Sequence, residues 1–340
     1  MKLKAIDLFS GCGGLTLGLT KAGFEVVGAI ESDPLAVKTY RANHPSVQIW
    51  DRDIRKVTAP QILEALGLQR GELDLVAGCP PCQGFSAIRR LNGRRRVRDE
   101  QNDLVFELLR LVRGLRPKAV MMENVPGLAH NARFSKLKAA LRRLGYMVSA
   151  EVKDARHYGV PQRRRRLILL AGRGVAIPFA VHARRVRTVR ETFAKLSKHR
   201  SKHDTLHNLA DHRTAKVEDL IRLIPKDGGS RSDLGAAWQL ECHRKCDGFK
   251  DVYGRMKWND VAPTITGGCC NPSKGRFLHP TKNRNITLRE AALLQGFPAN
   301  YYFSLDRGKF AAAQMIGNAL PPEFIRRHAA RIAKIVKHIS

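Results

Sequence analysis

The chain has 340 residues, 43% of them hydrophobic, enough for a sizeable core in one or two domains. Lysine and arginine number 61 against 30 aspartates and glutamates, a net charge of +31, which favours a polyanionic partner, nucleic acid before membrane. No apolar run is long enough to cross a bilayer, no leader is visible after Met1, and the seven cysteines form no disulfide framework, so a reducing cytoplasm is expected and membrane attachment is not.

Ala5-Ile6-Asp7-Leu8-Phe9 predicts a first strand. Ser10-Gly11-Cys12-Gly13-Gly14 predicts a tight turn, and Leu15 to Ala22 a helix. Val26 to Ile30 predicts a second strand that closes on Glu31-Ser32-Asp33. A helix over 34–43 and a third strand over 47–50 follow, then Asp51-Arg52-Asp53. This alternation is the signature of a doubly wound, mostly parallel α/β sheet. A glycine turn after strand one and an acid after strand two suit a nucleotide-like ligand: glycines allow close backbone approach, and the acid accepts from ribose hydroxyls. The spacing departs from the dinucleotide fingerprint and no Walker Lys-Ser/Thr pair follows, so an adenosyl ligand without phosphates fits better. Glu31 reads equally well as a solvated strand-end acid.

Leu73 to Ala77 predicts another strand, and Gly78-Cys79-Pro80-Pro81-Cys82-Gln83-Gly84-Phe85-Ser86 leaves its carboxyl end. Each proline fixes φ near −65°, so Cys82 is presented on a stiff turn, where a thiol could act as a nucleophile. The same residues read as a Cys-x-x-Cys pair, for redox chemistry or half a zinc site. Ala87 to Asn102 is arginine-rich and without apolar period; it reads as a basic loop beside the thiol, or as a solvated tract. A helix is expected over 103–114, a strand over 118–122 closed by Glu123-Asn124-Val125, a helix over 134–144 and a strand over 148–152. Gln162-Arg163-Arg164-Arg165-Arg166 then enters a buried strand over 167–170.

From about Val175 the pattern changes to charge, histidine and short polar segments. The expected division is a catalytic and cofactor-binding domain over 1–178, a smaller domain over 179–311, and a segment over 312–340 that packs back on the first. Cys242, Cys246, Cys269 and Cys270 match no common zinc spacing, and no metal is expected. Thr287-Leu288-Arg289-Glu290 is a capping box that opens a helix, and a last basic helix spans 323–338.

In order along the chain, Asp7 to Gly14, Pro80-Pro81-Cys82-Gln83, Glu123-Asn124-Val125, Gln162 to Arg166, Leu288-Arg289-Glu290 with Gln295-Gly296-Phe297-Pro298, and Gly317 to Pro322 resemble the motifs of the DNA (cytosine-5) methyltransferases. The resemblance covers most of the chain. It implies the Rossmann-like fold of S-adenosylmethionine-dependent methyltransferases, with the smaller domain as target-recognition domain. It implies S-adenosylmethionine as methyl donor, cytosine in a specific sequence of double-stranded DNA as acceptor, and a stand-alone or restriction-linked bacterial enzyme that works as a monomer, with a restriction endonuclease for the same site as a partner. It assigns Phe9, Gly11, Gly13 and Gly14 to the methionine part of the cofactor, Glu31 to the ribose, Asp53 and Ile54 to the adenine, and Pro80, Leu104 and Asn318 to the remaining wall.

Carbon 5 of cytosine is a poor nucleophile, which accounts for the residue types. The Cys82 thiolate adds at carbon 6 and makes carbon 5 enamine-like. Glu123 shares a proton with ring nitrogen 3. Arg166, with Arg164 beside it, stabilises the ring carbonyl oxygen and holds Glu123 or the thiolate in place. The target must leave the duplex, and the segment with Gln83, Ser86, Arg94, Arg95 and Arg96 is expected to lie against the DNA. Base readout is expected between 175 and 282, with Thr264 and Thr266 beside a glycine turn as candidates; an ordinary strand and turn is the other reading there. The competing functions are the related methyl transfer to RNA and a non-catalytic nucleic-acid-binding module.

Overall fold

In the computed structural model, the description covers residues 2–81, 103–199, 204–235, 238 and 251–338. Contacts group the chain into two units. The first comprises Met1–Tyr158, Arg165–His182 and Leu320–Ser340; the second comprises Gly159–Arg164 and Ala183–Ala319. Residues 159–164 thus leave the first unit although they lie inside the expected 1–178, and the return falls at Leu320 rather than at 312.

The first unit is built on one seven-stranded sheet. Its elements are β1 (Leu3–Leu8), α1 (Gly14–Lys21), β2 (Phe24–Ile30), α2 (Pro34–Asn43), β3 (Gln48–Trp50), α3 (Ala59–Leu66), β4 (Leu75–Gly78), α4 (Leu104–Leu115), β5 (Ala119–Asn124), α5 (Ala132–Arg143), β6 (Tyr146–Asp154) and β7 (Arg165–Arg173). The strand order is β3-β2-β1-β4-β5-β7-β6. The first five strands run parallel, and β7 is antiparallel to both β5 and β6. The order reverses between β1 and β4, and ligands bind at the carboxyl ends of the strands beside such a reversal.

Strand alternation supplies two cores. Ile6, Leu8, Ile30, Val76, Val120 and Met122 meet Ile62 of α3, Leu108 and Val112 of α4 and Leu137 of α5. On the other face Ala29 meets Val37 and Tyr40 of α2. Burial on both sides explains why β4 and β5 read as continuous apolar runs rather than alternating ones. Helix α3 is absent from the sequence reading, although its signals are present. Thr58 and Gln61 form a capping box, and Gly67 closes the helix in the left-handed region.

The second unit contains α6 (Val189–His199), α7 (Thr205–Asn208), α8 (Ala215–Leu223), α9 (Leu288–Gln295) and α10 (Gly308–Asn318). Leu220, Ile221, Ile224 and Leu278 form a small core. Beside it lies Arg255, fully buried. Its guanidinium donates to the carbonyls of Ile221, Ile224, His279 and Lys282 and to Asn283 Oδ1. The last helix, α11 (Pro322–Val336), belongs to the first unit, where it packs on α1. No helix among the described residues is long and apolar enough to cross a membrane.

Candidate active site

The carboxyl ends of β1, β2, β3 and β4 carry the residues expected around an adenosyl ligand. Phe9 follows β1 with φ 61°, a left-handed conformation costly for a bulky residue and of the kind that gathers at functional sites. The turn after it places Gly11 at φ 54° and Gly13 at φ 94°. A Cβ built on Gly11 meets nothing within 4 Å, so open space adjoins the turn there. Glu31, just beyond β2, ties the turn down: its Oε2 accepts from Gly11 N–H at 2.8 Å, and its Oε1 accepts from the N–H groups of Ser32 and Asp33. Each carboxylate oxygen has more than one acceptor site, so ribose hydroxyls can still be received. Asp53 caps the short helix Ile54–Lys56, and its hydrogen bonds with Arg55 hold its carboxyl below the usual range. Ile54 is buried, and Leu104 packs at the edge of the main core. These groups fit an adenosyl ligand: a backbone cradle, acceptors for a diol and an amine, and no phosphate-binding lysine in the turn.

Beneath the turn Asp7 is completely buried. Its Oδ2 accepts from Thr16 N–H and from Thr16 Oγ1, which also meets Tyr40 Oη at 2.7 Å. Burial raises the Asp7 pKa to about 8, against the opposing Thr16 bonds. The folded protein therefore keeps a proton that the unfolded chain releases near pH 4, and stability contributed here falls as pH rises from about 4 to about 8. Asp7→Asn is expected to remove that dependence. The urea midpoint of the variant, relative to wild type, should climb between about pH 5 and about pH 8.5. Parallel curves for the two proteins would show that Asp7 is ionised in the fold.

The catalytic candidates meet at the ends of β4 and β5. Glu123 is 2% exposed. Arg166 Nε, on β7, reaches its Oε1 at 2.9 Å, and the Cys79 thiol donates to its Oε2 at 3.0 Å. Asn124 Nδ2 donates to the carbonyl of Pro80 at 3.0 Å, fastening the proline turn to β5. The other described cysteines are poor candidates for a thiolate. Burial pushes Cys12 up to about 12 and also raises Cys269 and Cys270.

A family model for C-5 cytosine-specific DNA methylases matches residues 3–334. The chain belongs to this family. The Type II methylase M.HgiDII of Herpetosiphon aurantiacus is 36% identical to it, over 98% of this chain and 95% of that protein. The Type II methyltransferase M1.HphI of Haemophilus parahaemolyticus is 33% identical, over 98% and 88%. A solved structure described as a prophage-encoded DNA modification methyltransferase from E. coli shares the fold, with a TM-score of 0.70 at 24% identity over 98% of this chain and 99% of that one.

Several site residues of this DNA cytosine-5 methyltransferase differ from expectation or fall outside the description. Cys82, Gln83, Ser86, Arg94, Arg95 and Arg96 lie outside the described residues. Arg164 is not placed as expected. It is 2% exposed, in the second unit, and its guanidinium donates to the carbonyls of Ile265, Gly317 and Ala319. It precedes β7, so strand alternation does not carry it to the face of Arg166. Asn318 is an exposed residue ending α10 in the second unit. The hydroxyls of Thr264 and Thr266 already have partners: Thr264 donates to the Arg163 carbonyl at 2.5 Å, and Thr266 accepts from Gly268 N–H. A Cβ on Gly317 would lie 2.1 Å from the Thr266 carbonyl carbon, so this segment is pressed against α10. Cys79, read from sequence only as the first member of a Cys-x-x-Cys pair, is the site residue that was missed. Its signal is the parallel register that pairs Gly78 with Met122 and so sets the next residues, Cys79 and Glu123, side by side.

Proposed function

We propose that this methylase modifies carbon 5 of a cytosine turned out of duplex DNA, through a covalent adduct with Cys82 and with S-adenosylmethionine as donor. The carrying observation is the buried Glu123 carboxyl, gripped by Arg166, beside the proline turn that leads into Cys82. Phe9, Gly11, Gly13, Gly14, Glu31, Asp53, Ile54, Pro80 and Leu104 would hold the donor; bound there, it supplies an electrophilic methyl group.

The protein's own part is activation of the ring. Cys82 Sγ forms a bond to carbon 6, and the electron pair displaced from the 5,6 double bond raises the density at carbon 5. Charge spreads towards nitrogen 3, where Glu123 shares a proton. Arg166 fixes that carboxyl and adds positive potential where the charge develops. Once carbon 5 carries the methyl group, loss of its proton to a base restores the double bond and expels the Cys82 thiolate. Such an enzyme would act as a cytoplasmic monomer, with a restriction endonuclease of the same specificity as its partner; the Type II naming of both relatives supports that pairing.

A duplex carrying 5-fluorocytosine at the recognised position tests the adduct, because fluorine does not leave carbon 5 as a proton does. With cofactor present, the wild-type protein should give a species of protein plus DNA on a denaturing gel, and Cys82→Ala should give none. Absence of that species at a site mapped by bisulfite sequencing would refute the covalent route.

A further inference from the structure

We propose that Cys79 is a positioning residue for Glu123, its thiol fixing one carboxyl oxygen while Arg166 fixes the other. The inference rests on the role of Glu123 at ring nitrogen 3 proposed above.

Cys79 is held from both sides. Its N–H donates to the Leu8 carbonyl at 3.2 Å, continuing the β1–β4 ladder by one residue. Pro80 follows with φ fixed by its ring, and its carbonyl is bound by Asn124. The side chain therefore leaves a backbone with little freedom and reaches Glu123 Oε2 at 3.0 Å.

The choice of a thiol has a chemical reason. Oε2 belongs to a carboxyl that is 2% exposed, and a buried acceptor without a donor is costly. A second cation on Oε2, added to Arg166 on Oε1, would hold the carboxyl ionised through the reaction. A neutral thiol is a weak donor and also a weak acceptor, so it satisfies Oε2 while the carboxyl can still take up and release a proton. Alanine would leave Oε2 bare; serine would keep a neutral donor.

The charged surroundings among the described residues are few. Arg166 on β7 is the direct neighbour. On the edge strand β6, Lys153 stands opposite Arg166 and Glu151 opposite Ile168, and these two side chains pair with one another. The short helix Pro126–His130 after β5 adds only the exposed His130. The neutral donor on Oε2 is thus the group whose removal should be felt most at Glu123 after Arg166 itself.

The test compares Cys79→Ala and Cys79→Ser with the wild-type protein in single-turnover methyl transfer well below the thermal midpoint, on unmethylated duplex DNA containing the mapped site. The rate of Cys79→Ala should fall about five- to tenfold, while its affinities for cofactor and DNA match wild type. Cys79→Ser should restore the rate to within about twofold. Leaving Oε2 bare should also lower the thermal midpoint of Cys79→Ala, and serine should restore it. A purely structural role for Cys79 would lower that midpoint and leave the rate of the folded protein at its wild-type value. A wild-type rate in Cys79→Ala, or a lost rate that serine fails to restore, overturns the proposal. Full activity in Glu123→Gln would instead remove the role of Glu123, and this proposal with it.

Discussion

Cys82→Ala is expected to lower methyl transfer by about 10⁴-fold or more, the scale of loss when a covalent nucleophile is removed. Glu123→Gln is expected to cost about 10²- to 10⁴-fold, the range of general acid–base assistance. Glutamine keeps the size of the side chain and an oxygen for Arg166, but it cannot pass a proton to the ring. Both variants should bind cofactor and duplex DNA as wild type does, since neither change touches the glycine turn, Glu31 or Asp53. Rates from methyl-labelled cofactor, set beside calorimetric cofactor affinity, separate the two effects. A Glu123→Gln enzyme within about threefold of wild type would show that the ring is activated without acid assistance.

Arg255→Met should have the largest effect on stability. Its guanidinium serves four backbone carbonyls and one side-chain oxygen, and no part of the residue is exposed. Methionine follows the aliphatic stem but takes the donor from the buried carbonyls of Ile221, Ile224 and His279, while Lys282 and Asn283 keep Arg284 N–H and Lys226 as donors. The expected cost is about 3 kcal/mol or more. It should appear as lost hydrogen-exchange protection in α8 and around Leu278, since those segments supply the carbonyls and the adjoining core. Arg255→Lys should recover only part of the protection, because an ammonium cannot reach acceptors spread around a planar fork. Unchanged exchange in Arg255→Met would mean that water replaces the guanidinium without penalty.

Much of the first unit was legible in the sequence, and the reason is geometric. Parallel strands buried on both faces leave apolar runs, and the turns at their carboxyl ends must carry glycine, proline or an acid. Among those punctuation marks, Gly11, Gly13, Gly14, Glu31, Asp53, Pro80 and Glu123 are also expected site residues. The second unit is ordered by different means. Arg164, Arg255, Arg276 and Arg284 spend their donors on backbone carbonyls or on a buried glutamate. A sequence shows only their charge, which reads as affinity for phosphate. The net charge of +31 therefore overstates the surface available to DNA. Helices α6 and α8 were missed although α8 has apolar residues at helical spacing in Val217, Leu220 and Ile221, because polar neighbours hid the period. Arg164 was set beside Arg166 on the resemblance alone; the strand begins only at Arg165, and Arg164 spends its donors on backbone carbonyls.

The small segment 159–164 sets a condition for moving the second unit between related methylases. Gln162 bridges to Ala262 and donates to the Leu294 carbonyl, while Arg164 clasps Ile265, Gly317 and Ala319. A transplant of 183–319 alone would carry the acceptors and leave their donors behind in the host. A portable second unit must therefore be cut as two pieces of chain, and hybrids joined at a single boundary should need a host whose own glutamine and arginine stand at the same two positions.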